Sequence, residues 1–296
     1  MPISRAHLSG GITAFLDILG FSERILTAKT DKDVEGIIAD IESIQRAFEF
    51  KSKDRYVKEA QMGSRKTVLA FSDSVVVNLA LESRLTKLQG TFDPVMSELS
   101  GMALAQGQCV GSGLFLRGGI DIGWWYRKST VLASESLVRA YRAEGKAIVP
   151  VIRLTDELYK FVSTHPHRKF YSGDIEPVRT LLREYKGVRP DGSPLSFWYL
   201  DYISVVLESV DWVTSAAQRQ NCLTAPRGKR DRIREMGYRA NIRNWLRHHA
   251  RMIKQAHARA KDAHVKAKYE WLADYHNEIA PKYTPSPLAL CQLKRT

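Results

Sequence analysis

The chain has 296 residues, 44% of them hydrophobic, enough to bury a sizeable core in one large domain or a domain with an appendage, which excludes a disordered chain. Its formal net charge of +13 attracts anions, but much of the excess lies between Arg227 and Lys268 and so describes an appendage more than a fold. Three scattered cysteines, Cys109, Cys222 and Cys291, exclude a disulfide framework or cysteine zinc site; with no signal-peptide pattern at MPISRAHLSGG and no apolar run near the roughly 20 residues that span a bilayer, a cytoplasmic protein without a membrane partner is expected.

Residues 12–19, ITAFLDIL, form a run of strand formers interrupted by Asp17, and GFSE then turns the chain toward a helix. Val34, Ile37, Ile38, Ile41, Ile44 and Phe48 recur at helical spacing and predict an amphipathic helix with one face on a core. The charged segment 49–66 has no period and reads as a loop or irregular hairpin, after which TVLAFSDSVVVNLA at 67–80 predicts a second strand with Asp73 inside it. Asp93 and Pro94 open a second amphipathic helix carrying Val95, Met96, Leu99 and Met102, ended by Gly107, Gly111 and Gly113. LFLRGGIDIGWWY at 114–126 predicts a third strand, where Gly118, Gly119 and Gly123 permit close approach of a ligand or backbone; Trp124, Trp125 and Tyr126 are read as core. A short helix, ESLVRAYRAEGKA, ends near Gly145, followed by a fourth strand at 148–154, a helix at TDELYKFV, a turn cluster at 189–194 and a fifth strand at 196–206. Beyond Arg227 a basic helical region runs to about Ile279 and is broken by Pro281; its histidines, His248, His249, His257, His264 and His276, are read as surface residues. This order predicts an α+β fold, a mixed sheet covered by helices, over 1–210, with a basic, mainly helical extension over 211–296.

Asp17 and Asp73 each fall within apolar sequence, where an unpaired charge costs several kcal/mol of desolvation. On neighbouring strands their side chains come within about 5 Å at Cβ, close enough to share a divalent cation, and oxygen-only ligands suit magnesium or manganese. Gly20, Phe21 and Ser22 lead into a helix directly after Asp17, and backbone N–H groups at a helix start hold phosphate oxygens. A carboxylate pair beside an anion-binding turn is the geometry of metal–triphosphate chemistry. The alternative for each acid is a turn cap or an arginine partner at a strand end.

At this point the residues form a recognisable set. FLDILGF at 15–21 resembles the first metal motif of the class III adenylate and guanylate cyclases, FSDSVVV their second-aspartate strand, RGGIDIG at 117–123 their R-x-G-I-x-x-G strand, and LVRAYRAE at 137–144 their helix motif. Four motifs stand in order over about residues 11–155, and the wording of FSDS and AYRAE is most similar to the Pycsar pyrimidine cyclases of bacterial antiphage defence, which make cyclic UMP or cyclic CMP. The resemblance implies a class III, ferredoxin-like core and two Mn2+ or Mg2+ ions per site, held by Asp17, Asp73 and the Ile18 carbonyl. It also implies that Arg142 stabilises charge on the transferred phosphate and that a head-to-tail homodimer builds each site from both protomers. Three departures stand out: the family's ribose-orienting asparagine is Val138, its purine-reading lysine is Leu69, and its second base-reading acid falls near Val131. A site that lacks polar purine readers favours a pyrimidine substrate, converted to a 3′,5′-cyclic mononucleotide and pyrophosphate; the resemblance alone, in whose family it is the commoner substrate, puts UTP before CTP.

The alternatives are a purine cyclase of the same superfamily and a nucleic-acid binder. In the second, Arg239, Arg243, Arg247, Arg251 and Lys254 run at helical spacing with Trp245 and His248 between them. A solvated helix face, or one packed on a partner subunit, is the preferred reading there, so no nucleic-acid partner is expected. Arg117 is read as a phosphate contact or a solvated strand-end charge.

Overall fold

The computed structural model describes residues 9–49, 66–128, 131–171, 176–189 and 191–293; the segment 50–65, expected as a loop, lies outside them. Alternating apolar residues seat β1 (Ser9–Ile18) within the sheet, with Ile12, Ala14, Leu16 and Ile18 at most 4% exposed. The turn at Gly20 leads to α1 (Phe21–Thr27) and α2 (Asp31–Glu49). Only the C-terminal half of the predicted α2 face is seated: Ile44 and Phe48 are buried, while Val34 and Ile38 remain 47% and 50% exposed.

The expected single strand at 67–80 is instead a hairpin, β2 (Lys66–Phe71) and β3 (Ser74–Ala80), joined by Ser72 and Asp73. Ser72 has φ +50°, the sign that two-residue hairpin turns require, and no glycine or asparagine marks it in the sequence. Asp73 therefore sits at a hairpin tip, not inside a strand. Next come α3 (Arg84–Gln89) and α4 (Phe92–Gly111), which runs through Gly107 before Gly113, at φ +80°, turns the chain. β4 (Leu116–Lys128), β5 (Val131–Ser134) and α5 (Glu135–Lys146) follow. The fourth strand shrinks to β6 (Ile152–Leu154), since Pro150 has no N–H to give a ladder. After α6 (Asp156–Thr164) and α7 (Pro177–Leu181) the sheet ends with β7 (Leu182–Val188) and β8 (Pro194–Leu200). The fifth strand thus stops at Leu200, and Tyr202–Glu208 is a helix, α8.

The strands are ordered β2-β3-β1-β4-β6-β8-β7, with β5 paired to β4. The first four, antiparallel throughout and interrupted by helices after β1 and β3, make the ferredoxin-like arrangement; β6 then joins β4 in parallel. Gly119 lets α5 lie directly on β4, because a Cβ there would stand 2.1 Å from the Ala140 carbonyl oxygen. A buried polar chain fixes the same helix to β1 and β3. Asn78 Nδ2 donates to Thr13 Oγ1 at 2.9 Å, Thr13 Oγ1 meets Ser136 Oγ at 2.6 Å, and Ser134 Oγ caps the helix by accepting from Leu137 N at 3.0 Å. Of the tryptophans read as core, Trp125 is buried but Trp124 is 43% exposed.

The chain divides into two compact units, Met1–Cys109 with Leu114–Tyr202, and Val110–Gly113 with Ile203–Thr296, so the division follows β8 and precedes the expected 210/211 junction. The second unit holds α9 (Ala216–Thr224), α10 (Arg227–Arg259) and α11 (Ala263–Tyr283). The helical region is broken at Asp262, whose side chain caps α11 by accepting from Val265 N, whereas Pro281 lies inside α11 near its end.

The histidines correct the surface reading: His249 and His276 are 1% and 0% exposed and His257 is 9%, while His264 is exposed. The Ala289 carbonyl can only accept, so His276 Nε2 donates to it at 2.6 Å; neutral His276 Nδ1 then accepts from His249 Nδ1–H at 2.9 Å. Burial holds both imidazoles below the usual histidine range, His249 well below it. All three cysteines are free and buried. No helix among the described residues is long and apolar enough to cross a membrane.

Candidate active site

Three elements converge at the C-terminal end of β1. Asp17 lies opposite Ser74 in β3 on one side and Arg117 in β4 on the other. Ile18 N donates to the Asp73 carbonyl at 3.2 Å, which ties the hairpin tip to the same strand end. Ser22 Oγ of α1 donates to Asp73 Oδ2 at 2.8 Å. The sheet register and these two bonds thus gather Asp17, Ile18, Asp73 and Ser22.

The charges around Asp17 form a short relay. Arg117 Nη2 stands 3.4 Å from Asp17 Oδ2 and also bridges to Glu144 of α5. Their side chains are 24% exposed for Asp17, 21% for Arg117 and 6% for Glu144, so these charges face one another in a partly desolvated setting. Arg117 is therefore paired at its strand end, not solvated as one of the two expected readings had it. Glu144, nearly buried on α5, is thus the second acid that Arg117 holds.

Gly20 is the N-cap of α1 at φ 75°, ψ 14°, a left-handed conformation that strains any other residue, and no side chain caps the helix. Phe21 is 1% exposed with Arg24 over its ring, so its side chain anchors the turn and only its backbone can meet a ligand. Arg142 lies exposed on α5 beside Val138 and Tyr141, which are 49% and 59% exposed, and it forms no hydrogen bond or ion pair among the described residues. Tyr141 packs edge-on against Phe15 of β1 at 5.2 Å. The structure therefore places Arg142 exposed on α5, the helix whose Glu144 holds Arg117, and in contact with none of its own chain's acids among the described residues.

Asp121 was missed by the sequence reading. It shares the α5 side of β4 with Arg117 and Gly119, is fully buried, accepts from Thr155 and stands 3.8 Å from Arg139. Burial raises its carboxyl above the ordinary range, against the hydrogen bond from Thr155. Period-two counting from Arg117 would have flagged it. Leu69 of β2 and Val131 of β5, the positions that the resemblance gives to purine reading, present apolar side chains, Val131 at 60% exposure. Among the described residues no group of three or more histidine, cysteine or acidic side chains is placed to hold a metal, so the oxygen donors here are two carboxylates, a hydroxyl and backbone.

No protein-family profile and no curated protein matches the chain. Solved structures give weak similarities. The catalytic core of a rhodopsin-guanylyl cyclase with converted specificity, in complex with ATPalphaS, is 11% identical with a TM-score of 0.39 over 65% of this chain and 95% of that one. The guanylyl cyclase domain of a RhoGC fusion protein from the aquatic fungus Blastocladiella emersonii is 12% identical with a TM-score of 0.40 over 65% of this chain and 95% of that one. A bacterial light-regulated adenylyl cyclase is 12% identical with a TM-score of 0.35 over 69% of this chain and 99% of that one.

Proposed function

We propose that the chain is a pyrimidine nucleotide cyclase, converting UTP in preference to CTP into the 3′,5′-cyclic monophosphate and pyrophosphate as a signal in bacterial antiphage defence. One observation carries the reading: the Asp73 hairpin tip, distant in sequence, meets the Asp17 strand end and the Gly20–Ser22 turn at one end of β1. The donor set is all oxygen, which fits Mg2+ or Mn2+; Asp17, Asp73 and the Ile18 carbonyl would hold two such ions. When bound, they supply charge neutralisation of the triphosphate and acidification of the ribose 3′-hydroxyl.

The chain's own groups then have separate tasks. Ser22 fixes the rotamer of Asp73, and Arg117, held by Glu144, fixes that of Asp17. The backbone N–H groups at Gly20–Ser22 meet phosphate oxygens, and the 3′-oxygen bonds to the α-phosphorus as the bond to pyrophosphate breaks. Arg142 faces solvent in its own chain, which suits donation to a second protomer's site in a head-to-tail homodimer. Leu26, at 85% exposure, with Val34 and Ile38 gives such a dimer apolar surface to bury. Apolar Leu69 and Val131 leave a purine's polar edge unmet and favour the smaller base.

Incubating the purified chain with each of the four ribonucleoside triphosphates and Mn2+ tests this. Cyclic UMP or cyclic CMP with pyrophosphate is expected, and Asp73→Ala is expected to abolish it with unchanged far-UV circular dichroism. A cyclic purine product overturns the base assignment; no cyclic product overturns the cyclase reading.

A further inference from the structure

Two histidine contacts join α10 to α11, at different distances from the turn between the helices. His257 Nε2 meets Glu270 Oε1 at 3.3 Å, close to the turn at Ala260–Asp262. His249 Nδ1 meets His276 Nδ1 at 2.9 Å, about two helical turns further along. The two contacts respond to acid in opposite senses. A proton on His257 converts its contact with the Glu270 carboxylate, 34% exposed, into an ion pair and tightens it. At the other contact the Ala289 carbonyl fixes one proton on His276 Nε2, and a single proton lies between the two Nδ1 atoms. A second proton there sets two N–H donors against each other, so a charged His276 has to leave His249.

The surroundings decide which contact gives way. Burial opposes charge on both imidazoles; His248 of α10 adds to this at His249 and Lys254 of α10 at His276, whereas the Ala289 carbonyl favours charge on His276. Asp274 of α11 is exposed and is felt at the buried Cys291 thiol, and the segment Thr284–Leu293 carries no charged residue. That segment is bound chiefly to α11. Asn277 Nδ2 donates to the Cys291 carbonyl at 2.9 Å, Cys291 N donates to Asn277 Oδ1 at 2.7 Å, and His276 Nε2 donates to the Ala289 carbonyl. Toward α10 it offers a weak thiol donor, Cys291 Sγ to the Ala250 carbonyl at 3.6 Å, and the packing of the short turn Pro287–Ala289. Charge on His276 strengthens its bond to Ala289, so the weak seam runs between α10 on one side and α11 with its bound segment on the other.

We propose that α10 and α11 form an acid-operated clasp: on acidification the His249–His276 contact parts and α10 swings away from α11 and its bound segment, pivoting at the Ala260–Asp262 turn, where His257 and Glu270 hold. The opening also breaks a stacked row. Trp245 lies on His249 at 4.8 Å and 19°, and His249 on His276 at 5.0 Å and 15°. Trp245 lines an open groove of about 470 Å3 together with Asn241, Asn244 and His248, and that wall loses its backing when His249 moves. The clasp lies wholly within the second unit and stands apart from the proposed reaction.

Distances between nitroxide labels on the full chain, measured by pulsed electron spin resonance at pH 7.5 and at pH 5, test this. One pair sits beside the turn, at Ala258→Cys and Ala267→Cys, and the other at the far end, at Arg247→Cys and Glu278→Cys; all four positions are exposed, whereas the native cysteines are buried. At the lower pH the far pair should lengthen and broaden while the near pair keeps its distance. His249→Phe with His276→Gln retains a ring in the stack and an amide N–H for Ala289 but binds no proton, so both distances should then be the same at either pH. Glu270→Gln removes the clamp at a part-exposed position and should let the near pair lengthen in acid as well, which reports even where the double variant fails to fold. An unchanged far pair in the parent, equal lengthening of both parent pairs, a double variant that still opens in acid, or a near pair that holds in Glu270→Gln overturns the proposal.

Discussion

Arg117 is the residue on which the charge balance at the strand end turns. Replacing it with methionine leaves the nearly buried Glu144 and the adjacent Asp17 facing each other without a guanidinium, and a buried pair broken from one side costs about 3 kcal/mol. Urea unfolding of Arg117→Met should show a loss of that size, and adding Glu144→Leu should recover most of it; an unchanged midpoint for Arg117→Met would contradict the relay. At this scale the sequence was half legible. Asp17 and Asp73 stood out because an acid inside an apolar run needs a partner. Which partner each takes depends on register, and no local pattern reveals that Arg117 bridges to Glu144 or that Asp121 is buried against Thr155. His249 and His276 were misread for a related reason: they are 27 residues apart in the chain and become a pair only when α10 and α11 pack.

Among the elements, α5 is the one whose seat is narrowest. A methyl group at Gly119 would stand 2.1 Å from the Ala140 carbonyl and 2.8 Å from Ala143 Cβ, so the helix must lift from β4. Gly119→Ala should therefore destabilise the chain by about 1–3 kcal/mol, as overpacked cores do, and lower turnover further by shifting Glu144 and Arg142. Thermal melts and steady-state rates measured together check both parts. Long, strongly periodic elements such as α2, α4 and β4 were readable from spacing alone. The β2–β3 turn was not, because Ser72 takes its positive φ without a glycine; β7 was not, because the charged residues of an edge strand hide its alternation. The junction of β8 with α8 was not, because Tyr202 and Ile203 are as common in strands as in buried helix starts.

For the whole molecule, two properties follow from what is exposed and what is buried. Leu26→Glu with Ile38→Glu places charge on apolar surface that the homodimer reading needs, so sedimentation should show monomers and turnover should fall with them; a variant that stays dimeric and active removes that surface from the interface. Acid acts on the second unit. His249 and His276 are neutral and their folded pKa values lie below the unfolded one, so the unfolded chain takes up protons that the folded one refuses once pH drops below about 6.5. Stability is full above that pH and declines as pH falls toward the folded values, with Lys254 adding to the effect at His276 and His248 at His249. Urea midpoints between pH 7.5 and 5 should fall steadily, and His249→Leu should flatten the decline. The two-residue turn at Ser72–Asp73 carries a different consequence. β3 is held to β1 by seven successive register pairs, so an inserted residue at the tip must either slip that ladder, turning Val75 and Val77 to the wrong side, or bulge outward with Asp73 on it. Descendants of this chain can diversify here by exchanging side chains, whereas any change of loop length displaces either the ladder or Asp73.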